Sequence, residues 1–361
     1  AIIVVFIVVF GGGYLMTRNN NTNQNNNNGG TVKSQDNVKI VANTASQLIL
    51  EDYSTSEFSM KKPQGWKVEN GGTGMYYAIK VYDPNETNNQ IFLMLKMQPL
   101  LKSTAGKAFW QNYYKLSGNN SQYKVFADAV VLEKPTTEEF YKKFDEIGSY
   151  MNSIESTLST FNFPKFSNFA KLEESDSKAS MKSVALDSKV LRATFTGDNG
   201  KQGEGMFMAS IVNFGNQYQG GTDMLYYMAY DIMSITSAKD EFIDYKDILL
   251  QSANSIEFSD AYVKKTIDDG NAQTKQALAL SASIQAAFDS YMQAWENRQT
   301  TYDIMSQKQS DATLGYERVY NTDTGEIYKA YNGFTDDYKG ETYKSVTDEM
   351  YTQKTSGYIE K

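Results

Sequence analysis

Serine and lysine residues three positions apart are the first groups in this sequence whose spacing could do chemistry. On a helix this spacing places a lysine as the base for a serine nucleophile. It occurs at Ser59/Lys62, Ser121/Lys124 and Ser175/Lys178. None of the three is followed in order by the Ser-Asp-Asn and Lys-Thr-Gly motifs that complete such a site, and Ser59 lies in a predicted strand. The spacing therefore does not indicate penicilloyl-type chemistry.

Clusters of carboxylates are the second candidate, because two of them can act as a glycosidase pair and more of them can hold calcium. They stand at Glu138/Glu139, Asp240/Glu241/Asp244 and Asp336/Asp337. The first two clusters open predicted helices, where acidic residues favour the helix dipole. Neither Asp198-Asn199-Gly200 nor Asn321-Thr322-Asp323 has the ligand spacing of a calcium loop. We expect no catalytic residue, no metal and no cofactor; an envelope hydrolase that uses carboxylates alone is the alternative.

Composition excludes several further classes of site. The chain has no Cys and no His, which removes thiolate nucleophiles, imidazole bases, Cys/His zinc sites and disulfides. The formal net charge of −8 and the absence of a Lys/Arg-rich run argue against a nucleic-acid partner. Binding is therefore a better expectation than catalysis.

Aromatic residues are the remaining candidates for a site, since Tyr, Phe and Trp make up 13% of the chain. Exposed aromatic rings supply large contact areas for sugars or peptides. The predicted ligand surface consists of Trp110, Tyr113, Tyr114, Tyr316, Tyr320, Tyr328 and Tyr331. Two alternatives remain open. At helical spacing, about half of the rings of Trp110, Tyr113 and Tyr114 would belong to the core. The C-terminal tail would be an extended arm whose tyrosines hold it on its own domain.

The N-terminal residues predict a membrane anchor. Residues 1–17 begin with an uncharged apolar run, but about 16 helical residues span only about 24 Å, so we interpret the anchor as truncated. A cleaved signal peptide and a buried strand are the alternatives. Residues 18–45 include an Asn-rich stretch with nothing apolar to bury, which predicts a disordered tether. The bulk of the chain is then extracytoplasmic, on a single-pass protein of the cell membrane.

A first α+β unit is predicted over residues 46–160. Alternating apolar residues bounded by turn residues predict strands at 58–63, 66–70, 75–83, 90–98 and 123–133. A helix is expected over 104–116. Another helix begins with a capping box from Thr136 to Glu139 and carries an apolar face towards Leu158.

A second unit, residues 161–263, repeats this plan. Strands are predicted near 179–186, 189–197, 203–213 and 223–236, with a helix over 239–255. The end of the first unit's last helix, Asn152-Ser153-Ile154-Glu155, recurs as Asn254-Ser255-Ile256-Glu257. We interpret the repetition as an internal duplication; two helices that converged on the same ending are the alternative.

The rest of the chain follows a different pattern. Residues 264–310 predict one long helix, with an apolar stripe at Leu280, Ile284, Phe288, Met292 and Trp295. Exposure of that stripe would favour a structural subunit of a membrane-associated complex. Residues 311–361 predict a Tyr-rich β-hairpin and tail, with Gly325 available for positive φ in the turn.

Two segments resemble a known family. Residues 58–70, which read FSMKKPQGWKVEN, resemble the opening strand, Pro-x-Gly-Trp turn and second strand of PsbP/Mog1-like extracytoplasmic domains. The helix endings at Asn152 and Asn254 resemble the close of that unit, although Phe163-Pro164-Lys165-Phe166 replaces the Gly-Trp turn in the second copy. The tail resembles that of uncharacterised membrane-anchored proteins of clostridial-type bacteria.

The resemblance implies an antiparallel sheet with a closing helix, and a binding or assembly role without a shared active site. The resulting expectation is an α+β protein: an N-terminal transmembrane helix, two tandem sheet-plus-helix units, a long helix and a C-terminal hairpin. Its partners would be the membrane, through residues 1–16, and a protein or a cell-wall polymer.

Overall fold

The computed structural model describes residues 38–214, 218–219, 221–268 and 301–361. All of them belong to one unit that begins at Val38. The predicted anchor (1–17), the tether up to residue 37 and the apolar stripe of the predicted long helix lie outside the described residues.

The fold is α+β, as the sequence predicts. Short 3-10 turns also occur at 74–76, 156–158, 239–241 and 348–352. The strands are β1 (Ile40–Ala42), β2 (Leu50–Ser54), β3 (Phe58–Pro63), β4 (Lys67–Gly71), β5 (Ala78–Tyr82), β6 (Gln90–Lys96), β7 (Leu100–Leu101), β8 (Ser167–Asp176), β9 (Ala185–Thr196), β10 (Gln202–Phe214), β11 (Tyr218–Gln219), β12 (Thr222–Asp223), β13 (Tyr226–Ala238), β14 (Glu257–Phe258), β15 (Tyr316–Asn321), β16 (Ile327–Tyr331), β17 (Tyr343–Ser345) and β18 (Gly357–Ile359). The helices are α1 (Thr44–Gln47), α2 (Thr104–Leu116), α3 (Ser121–Asp128), α4 (Thr137–Lys142), α5 (Phe144–Ile154), α6 (Phe242–Asn254), α7 (Asp260–Asp268), α8 (Thr301–Leu314) and α9 (Phe334–Asp337).

A single antiparallel sheet combines strands from both predicted units. Its order is β4-β5-β6-β13-β10-β9-β8, and β7 also pairs with β13. The two halves meet where β6 pairs with β13, with Leu93 opposite Met233. The predicted boundary near residue 160 therefore runs through a shared sheet.

Helices cover both faces of this sheet, and α4 and α6 contact strands from the other half. Helix α4 lies over β8, β9 and β10, and α5 shares the same core, which includes Phe140, Phe144 and Phe207. On the opposite face, α6 packs on β3, β6 and β13 through Phe242 and Leu249. Because both faces are covered, β6 and β10 are buried almost continuously, and buried residues do not alternate with exposed ones.

The C-terminal residues form a second sheet, of order β1-β18-β16-β15-β17. The predicted hairpin is confirmed: β15 and β16 are antiparallel, and Gly325 in their turn has φ 76°. The tail after it is an arm folded onto the same unit, because β18 pairs with both β16 and β1. Residues 40–47, predicted as the end of the tether, form β1 and α1 and place Ile40 opposite Ile359.

Two of the predicted local structures are wrong. Residues 123–133, predicted as a strand, lie mostly in α3, because the Asn120 side chain caps that helix and Phe126 packs on α2. One isolated bridge, Leu101 to Val131, remains. Residues 179–186, also predicted as a strand, are mainly turn. The strand predicted near residues 203–213 is confirmed as β10.

The predicted helix starts agree better with the structure. Thr136 Oγ1 accepts a hydrogen bond of 3.1 Å from the Glu139 amide, so the capping interaction on that side is confirmed. The helix that follows is interrupted at Lys143, between α4 and α5. Helical structure is present in α7 and α8, on the two sides of residues 269–300.

Candidate functional site

The first predicted aromatic group lies on the helical hairpin of α2 and α3. Trp110 stacks on Phe126 with ring centroids 4.5 Å apart, and Tyr113 meets Tyr123 edge to face at 4.8 Å. Trp110 and Tyr114 are half-buried, whereas Tyr113 is exposed. The rings therefore mainly hold α2 against α3 and leave Tyr113 facing solvent.

The second predicted group, in the C-terminal sheet, does not form one surface. Tyr316, Tyr320 and Tyr331 are half-buried. Tyr328 is buried on the other face of the hairpin, in a core that includes Tyr343. The seven predicted aromatic residues thus divide between two separate parts of the fold, and Tyr328 belongs to the core.

The predicted carboxylate clusters differ in their surroundings. Glu138 binds Lys142 and Lys171 in ion pairs, which hold the pKa of the glutamate below its ordinary value. Glu241 and Asp244 have raised pKa values because they are buried. Within the described ranges, no group of three or more acidic side chains is placed to hold a metal ion.

A cleft on another part of the surface has better features for ligand binding. We call it the Lys96 cleft; its volume is about 970 Å³. It lies between the loop that joins β4 to β5, the end of β6 and helix α7. Its described lining comprises Ser56, Glu57, Gly72, Thr73, Gly74, Met75, Tyr76, Tyr77, Lys96, Ala261, Tyr262, Lys265 and Thr266.

The glycines of the β4–β5 loop set the shape of one wall. Gly72 has φ 89° and Gly74 has φ 55°, a backbone region that residues other than glycine rarely adopt. A Cβ on Gly72 would also lie 2.0 Å from the Tyr76 carbonyl oxygen. The Gly72 amide donates to the Thr157 carbonyl at 3.0 Å, which fixes the loop to the turn after α5. This wall is therefore held in place by its own backbone.

Lys96 supplies the charge in the cleft. It is the last residue of β6, and no carboxylate among the described residues forms an ion pair with its ammonium group. Its Nζ lies 5.2 Å from the ring centre of Tyr76 and 5.7 Å from that of Tyr230. Burial lowers the pKa of Lys96, and the nearby charge of Glu155 opposes that shift. A partly desolvated cation held only by aromatic rings is typical of a site for an anion.

Two tyrosines form the floor and the opposite wall. Tyr77 is 4% exposed, and its hydroxyl makes no hydrogen bond to a described residue. Burial raises the pKa of Tyr77, and the nearby Thr55 side chain opposes that rise only slightly. Tyr262, on α7, packs against Tyr77 with centroids 5.1 Å apart. The Tyr262 hydroxyl donates to the Gly74 carbonyl at 2.6 Å, so it closes the wall.

The groups in this cleft are suited to ligand recognition. Glu57 is the single carboxylate in its described lining, and a hydrogen bond from Ser56 lowers its pKa. The same lining combines aromatic walls with two ammonium groups, which together can orient a small ligand.

Sequence reasoning missed this site for a physical reason. Its walls come from segments about 190 residues apart in sequence, as shown by the Tyr262 to Gly74 hydrogen bond. One signal was present: Lys96 ends the apolar run IFLML of β6, where a lysine has to leave water.

The comparisons with known proteins give no family. The chain matches no protein-family model and no curated protein. Among the helices of the described part, none is long and apolar enough to cross a membrane. What the cleft binds therefore has to follow from the chemistry of its own lining.

Proposed function

We propose that this chain is a non-catalytic binding module, displayed outside the cytoplasm and attached to the cell membrane through residues 1–17. The observation that carries the binding role is the Lys96 cleft, where a cation without an ion-pair partner among the described residues faces aromatic walls. The anchor rests on the uncharged apolar run at the start of the sequence. The partner is a protein or a cell-wall polymer whose contacting part enters the cleft.

The two-unit organisation belongs to the same proposal. We infer that the chain arose by duplication of an α+β unit of the PsbP/Mog1-like type. In support, the residues Asn-Ser-Ile-Glu recur at the ends of α5 and α6, and these helices belong to the cores on opposite faces of one sheet. Because strands of both units share that sheet, the duplicated units form one binding module instead of two.

A structural subunit is the second candidate, and one observation favours it. On the helical hairpin, Leu116 is 78% exposed and Tyr113 is 40% exposed. Exposed apolar and aromatic side chains close together are typical of contact surfaces between proteins. Binding would then occur at α2 and α3 instead of at the Lys96 cleft.

Because the chain has no cysteine, single cysteines can block each surface separately. We would introduce Ala261→Cys in the cleft, Ala108→Cys on α2 and Ala312→Cys on α8, all at exposed alanines, and label each with a bulky maleimide. The immobilised full chain is then tested for capture of material from cell-envelope fractions. The binding-module proposal predicts that the label at residue 261 abolishes capture, while the label at residue 312 leaves it unchanged.

Loss of capture only with the label at residue 108 would instead favour the structural subunit. Capture that survives the label at residue 261 would refute the binding role of the cleft. The location is tested separately by protease treatment of intact cells. Release of fragments from residues 38–361 supports surface display, and their release only after lysis would refute it.

A further inference from the structure

We infer that the ligand of the Lys96 cleft carries an anionic group, a carboxylate or a phosphate, on a flat apolar body such as an aromatic ring. This inference rests on the proposed function, because it names the class of ligand for the same cleft. The anionic group would face the Lys96 ammonium, and the apolar body would lie between Tyr76, Met75 and Tyr262.

The charge balance of the cleft supports an anion. Its described lining contains two lysines and one glutamate, so it is positive in a chain whose formal net charge is −8. Glu57 lies near Lys265, whose charge contributes to lowering the pKa of the glutamate. Lys96 therefore remains as the cation without an acidic partner among the described lining. Because Lys96 is half-buried, an anion that enters would meet a charge already partly stripped of water.

The apolar part of the ligand follows from the walls. Tyr76 and Tyr262 are half-buried rings that line the cleft, and Met75 lines it as well. Flat rings and a thioether favour an aromatic or other planar body over a branched aliphatic one. The volume of about 970 Å³ is at the upper end of the range of small-molecule sites.

The test uses four probes that share one ring and differ in charge. Phenylacetate and phenyl phosphate are anionic, 2-phenylethanol is neutral and 2-phenylethylamine is cationic. Each is titrated calorimetrically into the full chain in mild detergent, with detergent alone as the blank. We expect both anions to bind about tenfold or more tightly than the alcohol, and the amine not to bind. The better of the two anions distinguishes a carboxylate ligand from a phosphate ligand.

Three lysine variants isolate the role of the charge. Lys96→Met should remove the preference for the anions while the alcohol still binds. Lys265→Met, at the exposed rim of the same cleft, should weaken anion binding less, and Lys134→Met, on an exposed loop elsewhere, should not change it. Equal affinity of the wild-type chain for anion and alcohol, or an anion preference that survives Lys96→Met, would overturn the inference.

The pH dependence of binding gives a further test that needs no variant. Because burial lowers the pKa of Lys96, anion binding should weaken with rising pH before the ordinary lysine value of 10.5 is reached.

Failure of this inference and failure of the proposed function give different results. If no anionic probe binds but the label at residue 261 still abolishes capture, the ligand class is wrong and the binding function stands. If that label leaves capture unchanged, the proposed function fails whatever the probes do.

Discussion

Tyr141→Phe tests whether the two predicted units fold as one. Tyr141 lies in α4, within the first unit, and is fully buried. Its hydroxyl lies 2.7 Å from the carbonyl oxygen of Met208 and 2.8 Å from that of Met233, both in strands of the second unit. The contact falls where the pairing of β10 and β13 shifts register, between Met208 and Ser210.

The magnitude follows from these contacts. A hydroxyl donates one proton at a time, so the change removes one buried hydrogen bond and the donor available to two carbonyl groups. The phenyl ring that remains keeps the packing on Phe207, whose ring centre lies 5.0 Å away, so little cavity forms. We therefore expect the free energy of unfolding to fall by about 2 kcal/mol, within the range for a buried polar group that loses its partner.

Urea unfolding, followed by circular dichroism and by tryptophan fluorescence, measures this loss. Tyr114→Phe is the matched control, because Tyr114 is half-buried and its hydroxyl has no hydrogen bond to a described residue; we expect a change within about 0.5 kcal/mol. A loss below about 0.5 kcal/mol for Tyr141→Phe would refute the reasoning about the contact. Two separate transitions in the wild-type chain would refute the shared sheet as one cooperative unit.

Three further changes test other parts of the fold. Burial raises the pKa of Asp231 above its ordinary value of 3.8. The stability that the protonated Asp231 side chain contributes is therefore complete below pH 3.8 and is lost as the pH rises through the pKa of the folded state. Urea titrations at several pH values should show that Asp231→Asn removes this part of the pH dependence. Gly205→Ala would place a Cβ 2.4 Å from the Ile235 carbonyl oxygen, and a loss of about 1–3 kcal/mol on urea unfolding is expected. Arg318→Met removes the partner that binds the buried Asp311 at 2.5 Å and leaves Lys329, whose Nζ lies 3.6 Å from that carboxylate; we expect a loss of about 2 kcal/mol and faster proteolysis of the C-terminal sheet.

Local structure was predictable where one signal dominated. The bounds of β3 and α2 agree with the sequence prediction, because β3 alternates buried and exposed residues through Met60 and because Ser103 caps α2 by accepting from the Gly106 amide. The β15–β16 hairpin was predictable from the turn that contains Gly325. In these segments local preference and tertiary packing agree.

The failures occurred where long-range packing decided the outcome. The run from Tyr123 to Val131 is rich in strand-forming residues, but its rings pack on Trp110 and Tyr113, and this favours α3. Pairing of β1 with β18 joins residues more than 300 positions apart, which no local pattern predicts. The Lys96 cleft was missed for the same reason, since its walls meet only in the folded chain.

Hydrogen–deuterium exchange of the full chain, with and without saturating phenylacetate, tests the binding role of the Lys96 cleft most directly. We expect slower exchange in peptides that cover residues 72–77 and 260–268, with residues 104–128 unchanged. Slower exchange confined to residues 104–128 would contradict it, because the ligand would then bind the helical hairpin. Unchanged exchange at both places would contradict the assignment of the cleft as a site for anionic aromatic ligands.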